Sequence, residues 1–213
     1  MTKQISDIRK DYSLNSLDEK HVDENAIMQF DRWFNEAINS EIDEVNAMTL
    51  ATVSADGKPH ARIVLLKGFD AKGFVFFTNY NSNKGKNLAE NTNAALVFFW
   101  KELQRQVRIE GVAAKVSAQE SDEYFFSRPE GSRIGAWASP QSEIIESRHL
   151  LDEKVAEYSA AFGNDIPRPP HWGGYRLKPA VIEFWQGRTN RLHDRIRYLK
   201  LENNNWKIER LAP

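Results

Sequence analysis

Apolar positions along the chain recur with two different periods, and the switches between them mark the elements. Up to about Glu24 the sequence is polar and mixed in charge, with only Ile5, Ile8, Tyr12, Leu14 and Leu17 to bury. This predicts a mobile N-terminal arm over residues 1–24. Ile27, Phe30, Phe34 and Ile38 then recur at helical spacing beside Trp33 and Ala37, so an amphipathic helix is expected, capped by Asp23 or Asn25. Strand-like runs begin near Ala47. Segments 48–53 and 61–67 flank Ala55-Asp56-Gly57-Lys58, a hairpin signal because Asp-Gly tolerates positive φ. Further strands are expected at 74–78, 94–100, 106–116, 172–177, 180–185, 193–201 and 206–211. Helices interrupt them at 84–90, after the Ser117/Glu120 capping box, and where Leu151, Val155, Tyr158 and Phe162 recur.

So many consecutive strands joined by hairpins predict an α+β domain over residues 25–213, built on a mostly antiparallel sheet closed or nearly closed into a barrel. The strand Arg62-Ile63-Val64-Leu65-Leu66-Lys67 is apolar on both faces through its middle, so one face fills the barrel and the other needs a cover. Helices or a partner subunit supply it, and a twofold dimer is the commoner solution.

Composition narrows the function. At 213 residues with 41% hydrophobic content, the chain supports one substantial core rather than two. A net charge of −1, from 29 basic and 30 acidic residues, provides no global field for nucleic acid or an anionic membrane. Any anion must be captured locally. Cysteine is absent, which removes disulfides, thiolate nucleophiles and Cys-ligated zinc and fits a reducing compartment. The first residues lack an apolar core and no later run approaches the length of a membrane span, so a soluble, cytoplasmic protein is expected. Neither G-x-G-x-x-G nor G-x-x-x-x-G-K-[ST] occurs, and no clustered ligands suggest a metal.

Candidate chemistry concentrates near the C-terminus. If the backbone is extended there, Arg191, His193 and Arg195 share one face about 7 Å apart, with Arg197 continuing the row. A solvated sheet edge is the plain alternative. Phe184, Trp185, Tyr198 and Trp206 lie close in sequence, and a flat apolar wall beside fixed positive charge suits a planar anion. Arg62 and Lys67 close the two ends of one strand. Trp172-Gly173-Gly174-Tyr175 reads as a tight bend before a strand, or as a ligand cradle.

The run Ile182-Glu183-Phe184-Trp185-Gln186, followed by Arg191-Leu192-His193-Asp194-Arg195, resembles the signature of the pyridoxamine 5′-phosphate oxidase family at every defined position. Further blocks resemble the family in the same order: 62–67, Phe77-Thr78-Asn79, 102–107, 124–129, 134–137, Gln141-Ser142 and 172–174. The likeness runs from about Arg9 onward. It implies an FMN-binding split β-barrel, a homodimer with FMN at the subunit interface, and oxidation of pyridoxine or pyridoxamine 5′-phosphate to pyridoxal 5′-phosphate with O2 as acceptor.

Carried over by position, the resemblance implies FMN contacts at Arg62, Ile63, Val64, Leu65, Leu66, Lys67, Phe77, Thr78, Asn83, Lys84, Gln106, Gln141, Ser142, Trp185 and Arg195. It implies substrate contacts at Lys67, Tyr124, Arg128 and Ser132 around the phosphate, and at Arg191, Leu192 and His193 beside the reacting carbon. Arg191 and His193 are the catalytic candidates. An arm carrying Arg9, Lys10, Asp11 and Tyr12 closes over the site. Many relatives have Arg-Lys where this chain has Asn83-Lys84, so one expected cation near the cofactor phosphate is missing. A split-barrel oxidase of another substrate, of the phenazine type, and a non-catalytic flavin or pyridoxal-phosphate carrier are the alternatives.

Overall fold

The computed structural model describes residues 4–8 and 11–213. After a 3-10 turn at Ile5–Asp7 comes helix α1 (Ala26–Asn39), with Asn25 at its N-cap accepting the Ile27 amide on Oδ1 at 2.9 Å. Strands β1 (Ala47–Val53) and β2 (Pro59–Leu65) follow as a hairpin, turned at Gly57 with φ of 81°. The β2 strand starts two residues before the expected one, and Lys67 stands beyond its end. A three-residue strand, β3 (Gly68–Asp70), was not anticipated. It pairs with β4 (Gly73–Asn79), and its three residues are too few for an alternating period to register.

Helix α2 (Asn83–Glu90), β5 (Asn93–Trp100) and β6 (Arg105–Lys115) match their expected positions within a residue or two. Helix α3 (Ala118–Ser127) begins at the anticipated cap, where Ser117 Oγ accepts the Glu120 amide at 3.0 Å. Helix α4 (Glu130–Ala138) had no sequence expectation, because Gly131 and Gly135 weaken its helical pattern. Helix α5 (His149–Phe162) was expected.

Segments 172–177 and 180–185, read as two strands, form the single strand β7 (Trp172–Gln186). Its first part pairs with β4 over residues 172–177 and its last part with β8 (Asp194–Lys200) over 181–186. Pro179 falls between these two ladders, where neither needs its missing N–H. Strand β9 (Trp206–Leu211) completes a hairpin with β8. The nine strands form one sheet in the order β2-β1-β5-β6-β7-β4-β3, with β8 and β9 following β7 off that path.

The chain divides into two compact units. One comprises residues 1–49, 95–110 and 179–213. In it most of the apolar stripe of α1 is covered, with Phe30 5.2 Å from Phe98 and Trp33 edge-on to Phe184 at 5.2 Å, whereas Ile38 at the helix end is 48% exposed. Arg105 is buried across this core, its guanidinium 4.4 Å from the Trp33 ring and bonded to Glu36 and Gln186. The second unit comprises residues 50–94 and 111–178. Phe125, Ile134, Ile166 and Trp172 form its cluster under α3 and α4, with Phe77 and Tyr124 packed against it. Gly173 and Gly174 are neither bend nor cradle. They lie inside β7, where a Cβ would meet the Tyr80 hydroxyl at 2.1 Å and the Phe77 ring at 2.8 Å.

Candidate functional site

In the unit of residues 50–94 and 111–178, the end of strand β2 with Lys67 just beyond it, strand β4, the start of α2, helices α3 and α4 and the following loop line a cavity of about 650 Å³. Ile63, Val64, Leu65 and Phe77 give it an apolar wall, and Lys67, Lys84, Arg128, Thr78, Tyr124, Ser132 and Gln141 supply polar groups. Among the described residues no Asp or Glu lines it. The sequence therefore placed most of the expected phosphate and cofactor residues around one concavity.

Local structure fixes these side chains. Ser82 caps α2, so Lys84 projects from the helix's first turn, where its ammonium donates to Gln141 Oε1 at 2.8 Å, Thr78 Oγ1 at 3.0 Å and Ser82 Oγ at 3.2 Å. Ser142, held at φ of 75°, accepts the Asn83 amide on Oγ at 3.3 Å. Tyr124 stacks on Phe77 at 4.0 Å, and the Lys67 ammonium lies 5.9 Å from the Tyr124 ring. Arg128 covers the Trp172 ring at 4.6 Å, while its Nη1 is buried without a hydrogen-bond partner. Helix α4 starts directly after it with no side-chain cap.

Positive charge in this cavity is uncompensated. Burial, followed by the Arg62 charge, lowers the Lys84 pKa to about 8. Burial likewise lowers the Arg62 and Arg128 values, with Tyr124 opposing at Arg128. Half-buried cations such as Lys84 and Arg128 without acids are costly, and an orphaned guanidinium nitrogen adds to that cost; a bound phosphate relieves both. The donor set thus fits a phosphorylated, planar ligand. Four expected contacts of this unit, Arg62, Leu66, Asn83 and Ser142, do not line the cavity. Arg62 turns its Nη1 to Leu50 O and Thr52 Oγ1, and Leu66 is buried at 4% exposure.

The second cluster lies in the unit of residues 1–49, 95–110 and 179–213. The extended row expected at 191–195 does not form, because Thr189–Arg191 is a 3-10 turn with Asn190 and Arg191 both left-handed, at φ of 56° and 62°. Strand β8 starts only at Asp194. Arg195 and Arg197 do share a face, each tied to a carboxylate: Arg195 binds Glu183 through Nε at 2.9 Å and Nη2 at 3.1 Å, and Arg197 binds Glu209. Arg191 is exposed and carries no ion pair among the described residues. A left-handed arginine is strained, and the turn presents it apart from the strand.

His193 packs 4.6 Å from the Trp185 ring. Its Nδ1 accepts the Arg188 amide at 3.0 Å, so the neutral ring carries its proton on Nε2. Burial and then Arg191 lower its pKa below the usual value, with Asp194 opposing. Tyr12 stands edge-on to Trp185 at 5.8 Å and 6.0 Å from His193. With Ile8, Asp11, Arg188, Asn190, Arg191 and His193, it lines a cavity of about 590 Å³. Arg9 and Lys10, expected in the same arm, lie outside the described residues. Leu192 is 69% exposed, and Gln106 is half-buried on β6. Residues the sequence reading missed here are Arg188, whose amide sets the His193 tautomer, and Gln104 and Gly187, which touch the arm.

The family model described as pyridoxamine 5′-phosphate oxidase matches residues 34–161, and that described as the pyridoxine 5′-phosphate oxidase C-terminal dimerisation region matches residues 172–213. A pyridoxine/pyridoxamine 5′-phosphate oxidase of Nostoc punctiforme is 59% identical over the full length of both chains. One from Paraburkholderia phymatum is 60% identical, covering 98% of this chain and 99% of that protein. PhzG from Burkholderia lata, solved with tetrahydrophenazine-1-carboxylic acid, superposes with a TM-score of 0.88 at 33% identity over 94% of this chain and all of PhzG. The fold is also that of a pyridoxamine 5′-phosphate oxidase-related, FMN binding protein of Nostoc punctiforme, with a TM-score of 0.72 at 16% identity over 90% of this chain and all of that one. No helix among the described residues is long and apolar enough to cross a membrane. With two family models spanning most of its length and relatives of such identity, the chain belongs to the pyridoxine/pyridoxamine 5′-phosphate oxidase family of split-barrel flavoprotein oxidoreductases.

Proposed function

We propose that this protein oxidises pyridoxamine 5′-phosphate or pyridoxine 5′-phosphate to pyridoxal 5′-phosphate, using FMN and O2, as a homodimer with FMN at the subunit interface. The observation that carries this reading is the carboxylate-free cavity lined by Lys67, Lys84 and Arg128, with a buried, unpartnered Arg128 Nη1. FMN, when bound, would supply the two-electron redox chemistry for oxidation at the substrate C4′, with O2 as final oxidant giving H2O2 and, for the amine substrate, water releasing ammonia.

Lys84, Thr78, Gln141, Ser142 and Asn83 would hold the cofactor phosphate, with Arg62 adding charge and residues 63–66 and Phe77 contributing apolar contact. Gln106, Trp185 and Arg195 would meet the flavin ring. Lys67, Arg128, Tyr124 and Ser132 would hold the substrate phosphate: two cations and two hydroxyls for a group carrying close to two negative charges. Arg191 would keep the pyridine ring in place, and Leu192 would cover it. His193, with its proton on Nε2, would donate a hydrogen bond from that atom to the alcohol oxygen or the unprotonated amine nitrogen and so help to position it. Tyr12 and Asp11, with Arg9 and Lys10, would exclude water from the reacting end.

Oxygen consumption by purified FMN-loaded protein supplied with pyridoxamine 5′-phosphate tests the proposal. Uptake matched by pyridoxal 5′-phosphate formation is expected. No uptake with either the amine or the alcohol would overturn it.

A further inference from the structure

We infer that Gln104 and Gly187 are positioning residues that seat the N-terminal arm so that Tyr12 stands against Trp185 and His193; this rests on the proposed roles of those three residues. Gln104 ends the loop before β6 in a left-handed conformation, φ 55°, and is only 4% exposed. Its carbonyl accepts the Gly187 amide at 2.8 Å and Gln186 Nε2 at 3.2 Å, which hold it from the β7 side. Its side-chain Oε1 then accepts two consecutive arm amides, Ser13 at 2.9 Å and Leu14 at 3.3 Å. One buried oxygen thereby fixes the chain directly after Tyr12.

Gly187 provides the space. A Cβ there would approach the Tyr12 ring at 2.7 Å from Cγ and 2.9 Å from Cδ2, and Tyr12 Cβ at 2.8 Å. These are the near, stiff atoms of the side chain, so any residue with a Cβ must push Tyr12 off its seat. Downstream, the Leu17 amide donates to Asp194 Oδ2 at 3.0 Å and Leu17 itself is 6% exposed, so the far end of the segment is anchored independently. Loss of the Gln104 or Gly187 contact therefore frees the stretch around Tyr12 without detaching the whole arm.

The chemistry at Gln104 separates a positioning role from a merely structural one. Only its acceptor oxygen reaches the arm, so Gln104→Glu retains the function and Gln104→Met, similar in size without an acceptor, removes it. Backbone hydrogen exchange in residues 11–14 of FMN-loaded protein without substrate is the primary readout. Exchange about threefold to tenfold faster in Gln104→Met, near wild type in Gln104→Glu, is expected for the lost hydrogen bonds. Gly187→Ala should speed the same exchange, and in a Tyr12→Ala background it should add nothing further. With pyridoxamine 5′-phosphate, KM should rise in Gln104→Met and Gly187→Ala and recover in Gln104→Glu. Unchanged exchange in Gln104→Met and Gly187→Ala, or a Gln104→Glu protein as defective as Gln104→Met, would overturn the inference. Because exchange is read without turnover, that result is distinct from failure of the proposed reaction.

Discussion

In the unit of residues 50–94 and 111–178, Lys67, Lys84 and Arg128 line a cavity that no described carboxylate enters, and Arg128 leaves a nitrogen unsatisfied. In the other unit the arginines near Trp185 are tied to acids: Arg195 to Glu183, Arg105 to Glu36 and Arg210 to Asp194. The same residue type is thus used in two ways. Paired arginines join strand to strand and helix to strand, and removing one partner would strand a charge. Unpaired ones are destabilising alone and become favourable only when a ligand brings the counter-charge. Among the described residues of that unit Arg191 is left without an acid, exposed on a left-handed turn, and so it shares the lack of a counter-ion with the cavity cations.

The sharpest way to break this comparison is at Arg191. Arg191→Ala should bind FMN normally yet lose about two to three orders of magnitude in kcat/KM, the usual range for a well-placed charged contact to the reacting substrate. Steady-state kinetics beside a flavin titration decide it, and full turnover in a flavin-loaded variant would remove Arg191 from the ligand class. Next, Lys67→Ala and Arg128→Ala should raise KM for the phosphorylated substrate about 10- to 100-fold with kcat largely kept, because each deletes one charge-assisted phosphate contact. A pure kcat loss would place these residues elsewhere in the cycle. Arg128→Ala should also leave the free protein no less stable to denaturant, unlike Arg105→Ala, whose partner Glu36 would lose its counter-ion.

Lys84 makes the contrast visible in pH. Its folded pKa of about 8 lies below the ordinary 10.5, so between those values the unfolded chain binds more protons and the ligand-free protein gains stability as pH rises. A bound phosphate reverses the preference by favouring the charged ammonium. FMN affinity should therefore fall above pH 8, by up to about tenfold per pH unit, and the slope should vanish in Lys84→Met. Equilibrium flavin fluorescence from pH 7 to 10 measures it; an affinity flat in pH would show that Lys84 does not meet the phosphate. The smallest effect belongs to Asn83. Restoring Arg there should tighten FMN by about 1 kcal/mol, roughly fivefold, and no change would show that the position makes no contact.

Much of this arrangement was legible in the chain. The α1 stripe, the Asp-Gly hairpin and the Ser117 cap are local codes, and they appear where the pattern put them. Strand β7 was not legible as one element, since Pro179 reads as a break unless the two different ladders flanking it are known. The turn at Asn190 and Arg191 was missed for a related reason: alternation of Arg, His and Arg satisfies an extended pattern, and nothing local announces a left-handed arginine. The Gly173-Gly174 pair looked like punctuation, but the aromatic rings that require it come from Tyr80 and Phe77, far away in sequence. At the site, residue identities came from family likeness, whereas the pairing that separates Arg191 from Arg195 emerged only from packing.

The most direct test of the central claim, that unpaired cations here exist to hold phosphorylated vitamin and flavin together, is anaerobic mixing of FMN-loaded protein with pyridoxamine 5′-phosphate while the oxidised flavin absorption is followed. Bleaching of that band in wild type, and its slowing in Arg191→Ala without loss of flavin, is the predicted result. A flavin that stays oxidised beside saturating substrate would contradict the account.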